Sequence, residues 1–434
     1  MRKMKDSGIE WIGEIPERWN TVRVKHLATE KDTLFLDGDW INSDVIVDEG
    51  IRYLTSGNVG EGFYKEQGKS YILEETFKKL NCLKVYPGDL MISRLNEPVG
   101  RCCIVPEGED YYVVAVDNVI LRPNEDISKK FMMYCMNTSG YARAALMAAS
   151  GTTMQRISRT SLGNMTVPVT DYDEQVRITN YLDKKCAEID AIIAAKEKTN
   201  ELLKERRQSI IYEAVTKGLD PTVPMKDSGI EWIGEIPESW NCKKIKYAFS
   251  LVAGATPKSG NEEYWDGDII WITPADYTTE DIYIYEGHKT ITTEGLNSCA
   301  TTMIPEESIV FSKRAPIGLV AINKVPLCTN QGCISCIPNK DIDSKFYYYV
   351  MSAFTKEFDL FGSGTTFKEI SAEAFANFVL PNTRIEEQIE IAEYLDLKCQ
   401  EINDLISSNN ATIEKLKEYR QSVIYEAVTG KIEV

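Results

Sequence analysis

The chain has 434 residues, 43% of them hydrophobic and 26% charged, which excludes a disordered or low-complexity protein and leaves room for two or three domains. Its formal charge of −17 argues against a uniformly basic nucleic-acid-binding surface, and its 11 cysteines, odd in number and scattered, do not make a disulfide framework. No stretch reaches the roughly 20 unbroken apolar residues of a membrane helix, and the start lacks the apolar core of a secretory signal, so a cytoplasmic location is expected.

In chain order, the first element is an opening segment, 1–20. Its residues Met4 to Asn20 recur at 225–241 with a single difference, Arg18 against Ser239. Chance does not produce such a match, so the chain is a tandem duplication. Trp11, Trp19, Trp232 and Trp240 fall in the two copies and are expected to anchor the junction between repeat opening and helix; a docking face for partner proteins is the alternative reading.

The segment 21–170 follows. Runs such as Asp110 to Val116 are rich in β-branched and aromatic residues, and a helical stretch is expected around Ser128 to Met147, so the segment reads as a mainly β globular domain. The region 171–220 contains a stretch, 174–216, free of Pro and Gly and rich in helix formers. Its apolar residues follow a heptad seam with Cys186, Ile193, Asn200, Arg207 and Ala214 at a, and Ile189, Lys196, Leu203 and Ile210 at d. Gly218, Pro221 and Pro224 mark where this helix stops.

After the second opening, 221–241, the pattern repeats: a globular domain over 242–383 and a helix within 384–434. Trp271 to Thr273, Asp281 to Tyr285 and Ser308 to Phe311 read as strands, and Asp343 to Phe361 as helical. The second seam has Cys399, Ile406, Ile413, Arg420 and Ala427 at a, and Ile402, Asn409, Leu416 and Val423 at d. A helix of this size spans about 65 Å, more than a compact domain needs. Two similar seams in one chain predict an antiparallel coiled coil, each helix packing on its own domain being the alternative. The expected fold class is α+β: two mainly β globular domains separated by two long helices, duplicated about a pseudo-twofold axis.

Chemistry of its own is hard to assemble. The two histidines, His26 and His288, lie in different domains, and the Cys333–Cys336 pair has no second ligand pair at zinc-finger spacing, so both thiols are expected to be buried. The stretch Gly362 to Thr366 lacks the Gly-Lys-Ser/Thr ending of a phosphate loop, and no dinucleotide-binding glycine pattern follows a strand. No catalytic residue, cofactor site or metal site is therefore expected in this chain.

Further matches complete the duplication. Ser150-Gly-Thr-Thr-Met-Gln-Arg-Ile-Ser158 answers Ser363-Gly-Thr-Thr-Phe-Lys-Glu-Ile-Ser371, and Arg207 to Thr216 answers Arg420 to Thr429. Fainter echoes pair Pro87 to Arg94 with Pro305 to Arg314, and Asp117-Asn118 with Asn330-Gln331. The twice-given Gly-Ile-Glu-Trp-Ile-Gly-Glu-Ile-Pro-Glu-x-Trp opening, the Pro-Gly-Asp-Leu-Met-Ile-Ser-Arg run, the Ser-Gly-Thr-Thr stretch and the acidic-Glu-Gln start of each long helix occur in an order that resembles the specificity subunits of type I restriction-modification enzymes. The resemblance spans essentially the whole chain. It implies that each globular segment is a target recognition domain reading half of a bipartite site in double-stranded DNA. It implies too that the helix pair fixes their spacing. Two adenine-methyltransferase modification subunits would bring S-adenosylmethionine, and restriction subunits would use ATP and Mg for translocation and cleavage.

Neither large domain is net basic: the charge is −2 over 21–170 and −5 over 242–383, so any DNA face has to be a local patch. Reading DNA needs donors and acceptors on loops, with cations for phosphate. The expected contacts in the first domain are Asn58, Ser93, Arg94, Asn96, Asn118, Thr152, Thr153, Gln155 and Arg156, with Thr55 and Ser56 beside them. In the second they are Ser312, Lys313, Arg314, Asn330, Gln331, Thr365, Thr366 and Lys368, with Thr273 and Asp276. Arg94 and Arg314 stand out because each closes a β-like run at what reads as a matched position, where arginine can pair with guanine or clamp phosphate. At such places Ser, Thr and Asn also simply close turns. Gly151 and Gly364 are expected to supply positive φ. Two readings compete with DNA recognition: an acidic DNA mimic of the antirestriction type, and a coiled-coil scaffold carrying two domains that bind something other than DNA.

Overall fold

A computed structural model describes residues 2–95, 98–151, 154–278, 281–364 and 368–434. It divides into two compact units, Met1–Lys196 with Asn410–Val434, and Glu197–Asn409. The unit boundaries fall inside the long helices, Tyr172–Lys217 and Ile385–Val428, which run slightly beyond the spans read from the sequence.

The first unit is built on a four-stranded antiparallel sheet in the order Leu34–Asp37, Asn118–Arg122, Leu90–Ser93, Cys102–Ile104. Alternation along the strands gives this sheet two apolar faces. Leu90, Ile92, Val119 and Leu121 pack on the short helices Lys129–Met136 and Ser139–Met147 through Phe131, Met132 and Tyr141. Met91, Ile120 and Cys103 point the other way, toward a core with Leu54 and Val114. These two residues belong to a second sheet in the order Ser70–Ile72, Ile51–Leu54, Val113–Val114. Of the expected strand Asp110 to Val116, only Val113–Val114 is paired as a strand.

The second unit repeats this plan. Its larger sheet runs Phe249–Ala253, Cys333–Pro338, Ile309–Ser312, Val320–Asn323, with Tyr283–Ile284 added in parallel at the edge. The smaller sheet is Lys289–Ile291, Trp265–Ile272, Cys328–Thr329. Cys333 and Cys336, three apart on one strand, face different cores, so they are two packed thiols and not a ligand pair. Gly38 and Gly254 hold one matched place in the two units. A Cβ on Gly38 would lie 2.2 Å from the Val114 carbonyl oxygen, and on Gly254 2.1 Å from that of Asn330. Only glycine lets the chain cross so close to the neighbouring strand.

Every expected seam residue is buried or half-buried along its helix. In the second unit Asn200 bonds Asn409 at 2.9 Å and Arg207 bonds Asn403 at 2.6 Å, so the two helices run antiparallel there. In the first unit Arg420 pairs with Asp190 at 3.0 Å, and Val423, Ile424, Ala427 and Val428 join the core of Ile12, Trp19, Ile178, Leu182 and Cys186. Each unit therefore contains the beginning of one long helix and the end of the other. Gly218, at φ +74°, turns the chain out of the first helix as expected.

Both openings are fastened to helix ends by the same bonds. Tyr425 Oη donates to the Ile12 carbonyl at 3.0 Å, and Tyr212 Oη to that of Ile233 at 3.3 Å. Trp19 and Trp240 are buried, while Trp11 packs edge-on to Tyr141 and Trp232 stacks on Phe378. The Glu-Gln pair at each helix start bolts the helix to its domain. Gln175 accepts from Ser128 N–H and donates to the Asp126 and Thr170 carbonyls, and Gln388 repeats this with Asp343, Asp341 and Thr383. Glu174, fully buried, accepts from Trp19 Nε1 at 3.0 Å, Arg18 at 2.7 Å and Thr170 at 2.6 Å, with Arg2 at 2.6 Å. Burial works to raise its pKa, but these donors hold it below the ordinary value of 4.5. A depressed carboxylate contributes stability above its unfolded pKa that is lost on acidification. Glu174→Gln is thus expected to lower the urea midpoint of the first unit at pH 7, with the gap to the native chain closing as pH falls below 4.5.

Candidate nucleic-acid interface

In each unit the strands of both sheets bring their loops to one edge. In the first, Gly38 follows Leu34–Asp37, Thr55–Asn58 follows Ile51–Leu54, Lys69 precedes Ser70–Ile72, Ala115–Asp117 joins two strands, and Arg94 follows Leu90–Ser93. In the second the same edge carries Gly254, Thr273–Asp276, His288, Asn330–Gly332 and Lys313–Arg314. Most residues singled out from the sequence therefore converge. Asn96, Thr152, Thr153, Thr365 and Thr366 lie outside the described residues.

Several of the converging side chains are spent on holding loops. Asn58 is buried, accepts from Thr55 N–H at 2.9 Å and donates to the Lys65 and Gln67 carbonyls. Asp276 does the same for Thr273, at 2.7 Å from its N–H. Ser93 and Ser312 are buried and donate to the carbonyls of Leu95 and Arg314. Asn118 is fully buried at the head of the central strand. Asn330 accepts from Gly332 N–H at 2.8 Å, and Gln331, exposed, accepts from Thr256. Gly151 and Gly364 take φ +112° and +111°, as expected, in the hairpins that return the chain to this edge.

The cations divide into buried and presented. Arg94 is only 7% exposed; it donates to the Val116 carbonyl at 2.6 Å and pairs with Asp37 at 3.2 Å. Burial lowers its pKa, though Asp37 opposes the effect. Arg156 pairs with Asp117 at 3.0 Å and Arg159 with Asp37 at 3.5 Å, and both arginine side chains are more than 40% exposed. In the second unit Lys313 and Arg314 share Glu369, at 2.6 and 2.8 Å, while Lys368 pairs with Asp359 at 2.6 Å. Burial would raise the Glu369 pKa, but bonds from Lys313 and Arg314 bring it below its ordinary value. In both units these ion pairs set three cations against two carboxylates, a small positive excess on an acidic body.

The matched position of Arg94 and Arg314 does not hold. Ile157 N–H donates to the Arg94 carbonyl, and its counterpart Ile370 donates to Lys313, so Arg94 corresponds to Lys313 and Leu95 to Arg314. The prolines misled: Gly88 and Glu307 share the left-handed place, at φ +83° and +63°, which sets Pro87 against Glu306 rather than Pro305. The echo of Asp117-Asn118 in Asn330-Gln331 fails likewise. Ser93 pairs with Asn118 and Ser312 with Cys333, so Asn118 corresponds to Cys333.

Sequence reasoning missed Asp37, Arg159 and Arg101. Arg101 is 9% exposed and ties the loops together through the carbonyls of Val59, Leu95, Pro98 and Ser56. Nothing in a single sequence marks such a brace. Arg159 had a signal, three residues after Arg156 and at the head of a helix capped by Ser158.

The family model described as "Type I restriction modification DNA specificity domain" matches residues 237–415. A specificity subunit of the type I restriction enzyme MjaIX from Methanocaldococcus jannaschii is 38% identical over 193 residues, 42% of this chain and 43% of that one. The match thus spans less than half the length of this relative. The putative MjaX specificity subunit from the same organism is 25% identical across 98% of this chain and 96% of its own. Among solved structures, a chain from a study of complex assembly in a type I R-M system superposes with a TM-score of 0.75 at 15% identity, covering 96% of this chain and 99% of the other. The HsdS subunit from Thermoanaerobacter tengcongensis superposes with a TM-score of 0.54 at 16% identity, covering 96% of this chain and 98% of its own. A duplicated pair of two-sheet domains with antiparallel helix pairing, a domain-model match in the second repeat and a relative aligned across both repeats lead to one conclusion: over its length the chain is similar to type I restriction-modification DNA specificity subunits.

Proposed function

We propose that this chain reads a bipartite site in double-stranded DNA, one half with each unit, and holds two adenine-methyltransferase subunits and the restriction subunits on it, with all bond-making and bond-breaking left to those partners. S-adenosylmethionine, ATP and Mg belong to them in this reading. The observation that carries it is the convergence, twice, of loop donors and a net positive cluster of ion pairs on one sheet edge of a duplicated unit. An acidic mimic of DNA offers no role for such paired cationic edges, and phosphate contact is what they suit.

The cations divide the labour. Arg156, Arg159, Arg314 and Lys368, with Gln155, Asn330 and Gln331, are proposed to meet DNA; Arg94, Asn58, Ser93, Asn118, Ser312 and Lys313 hold the loops that present them. Arg156→Ala with Arg159→Ala is expected to weaken binding by the assembled complex and to reduce the slope of log K on log salt by about 0.9 for each phosphate left unneutralised. Arg94→Ala and Arg314→Ala are each expected to impair one half-site only, read as the methylated sequence. Unchanged affinity and site choice in all of these variants contradicts the assignment.

A further inference from the structure

One exposed side chain at the second unit's loop edge is held as if for a contact. The His288 side chain is 80% exposed, yet its Nδ1 lies 2.6 Å from Oδ1 of Asp276, whose side chain is only 2% exposed. The same oxygen accepts the His288 backbone N–H at 2.6 Å, while Oδ2 accepts Thr273 N–H and Oγ at 2.7 and 2.6 Å. Every bond of this carboxylate thus serves to fix the loop and aim the ring. A free surface histidine gains little from being ordered, because fixing a side chain costs rotamer entropy.

Position gives the ring its meaning. Lys289 pairs with Trp271 and Ser70 with Tyr53 at equivalent places in the two smaller sheets, so His288 corresponds to Lys69, which is exposed. The two units thus put a cationic or cation-forming side chain at one matched spot beside the clusters described above. The charged neighbours along the chain are Glu286 and Lys289, and the Lys289 ammonium lies over the Trp265 ring, 5.3 Å from its centre.

We propose that His288 is a phosphate contact of the second unit: a ring oriented by Asp276 through Nδ1, donating an Nε2 proton to a phosphate oxygen of bound duplex DNA. Two donors on opposite sides of one ring suit a carboxylate on one side and a phosphate on the other. The proposal rests on the DNA-reading function argued above, and its test separates the two. The assembled complex is titrated against a labelled duplex carrying the bipartite sequence it methylates, over a series of salt concentrations. His288→Ala is expected to weaken binding several-fold at low salt and to reduce the salt slope by about 0.9, while His288→Lys keeps the native slope. Native affinity and slope in His288→Ala overturn the phosphate contact and leave the wider function standing. Weaker binding with an unchanged slope overturns it too, since a purely structural role releases no counterion. Failure of the native complex to bind this duplex overturns both.

Discussion

A chain ending at residue 409 is expected to lose the first unit, although the residues removed, Asn410–Val434, stand at the opposite end of the sequence from the Met1–Lys196 part of that unit. Val423, Ile424, Ala427 and Val428 are each 5% exposed or less, and all pack into the core that holds Trp19 and Leu182. Burial of a large aliphatic side chain contributes about 1.5–3 kcal/mol, so the loss approaches the 5–15 kcal/mol that stabilise a typical domain. The Tyr425 bond to Ile12, which fastens the opening, goes with it. Hydrogen exchange read segment by segment checks this. Protection is expected to collapse in Leu90–Ser93 and Asn118–Arg122 and to persist in Ile309–Ser312 and Cys333–Pro338. Equal protection of both sets in the shortened chain contradicts the account.

Lengthening both long helices by one heptad is expected to change the gap between half-sites and neither half-site itself. The insertion belongs in 196–204 and at the facing stretch around Asn409, where Asn200 and Asn409 bond across the seam. Seven residues keep the a and d positions facing inward and add about 10 Å of helix. At about 3.4 Å per base step that is at most roughly three base pairs. Sequencing of methylated adenines in cells carrying the variant reads the result directly. An unchanged gap means that the helix pair does not set the spacing.

What the sequence made legible follows from where its information is local. Heptad spacing exposed both helix seams, because every a and d residue lies within a turn or two of the next, and Asn200 and Asn409 bond at their expected a and d positions. The repeated opening exposed Trp19 and Trp240 as anchors by identity alone. Hidden were relations between distant residues. That Ala427 belongs to the core of Ile12 follows from which helix end meets which domain, and the order of the chain suggests the reverse. Arg94 looked like a presented cation because it ends an apolar run; its partner Asp37, on a strand far upstream, takes it inside. Short loop echoes failed for a further reason. Prolines invited an alignment by identity, while backbone conformation at Gly88 and Glu307 aligned the strands one residue away.

The most direct test of two readers in one polypeptide is selection of duplexes from a random pool by the assembled complex. It is run with the native chain and with one in which Arg314 and Lys368 are both alanine. Two short conserved blocks at a fixed separation are expected for the native chain, and loss of one block alone in the variant. A single uninterrupted block, or equal erosion of both, contradicts it.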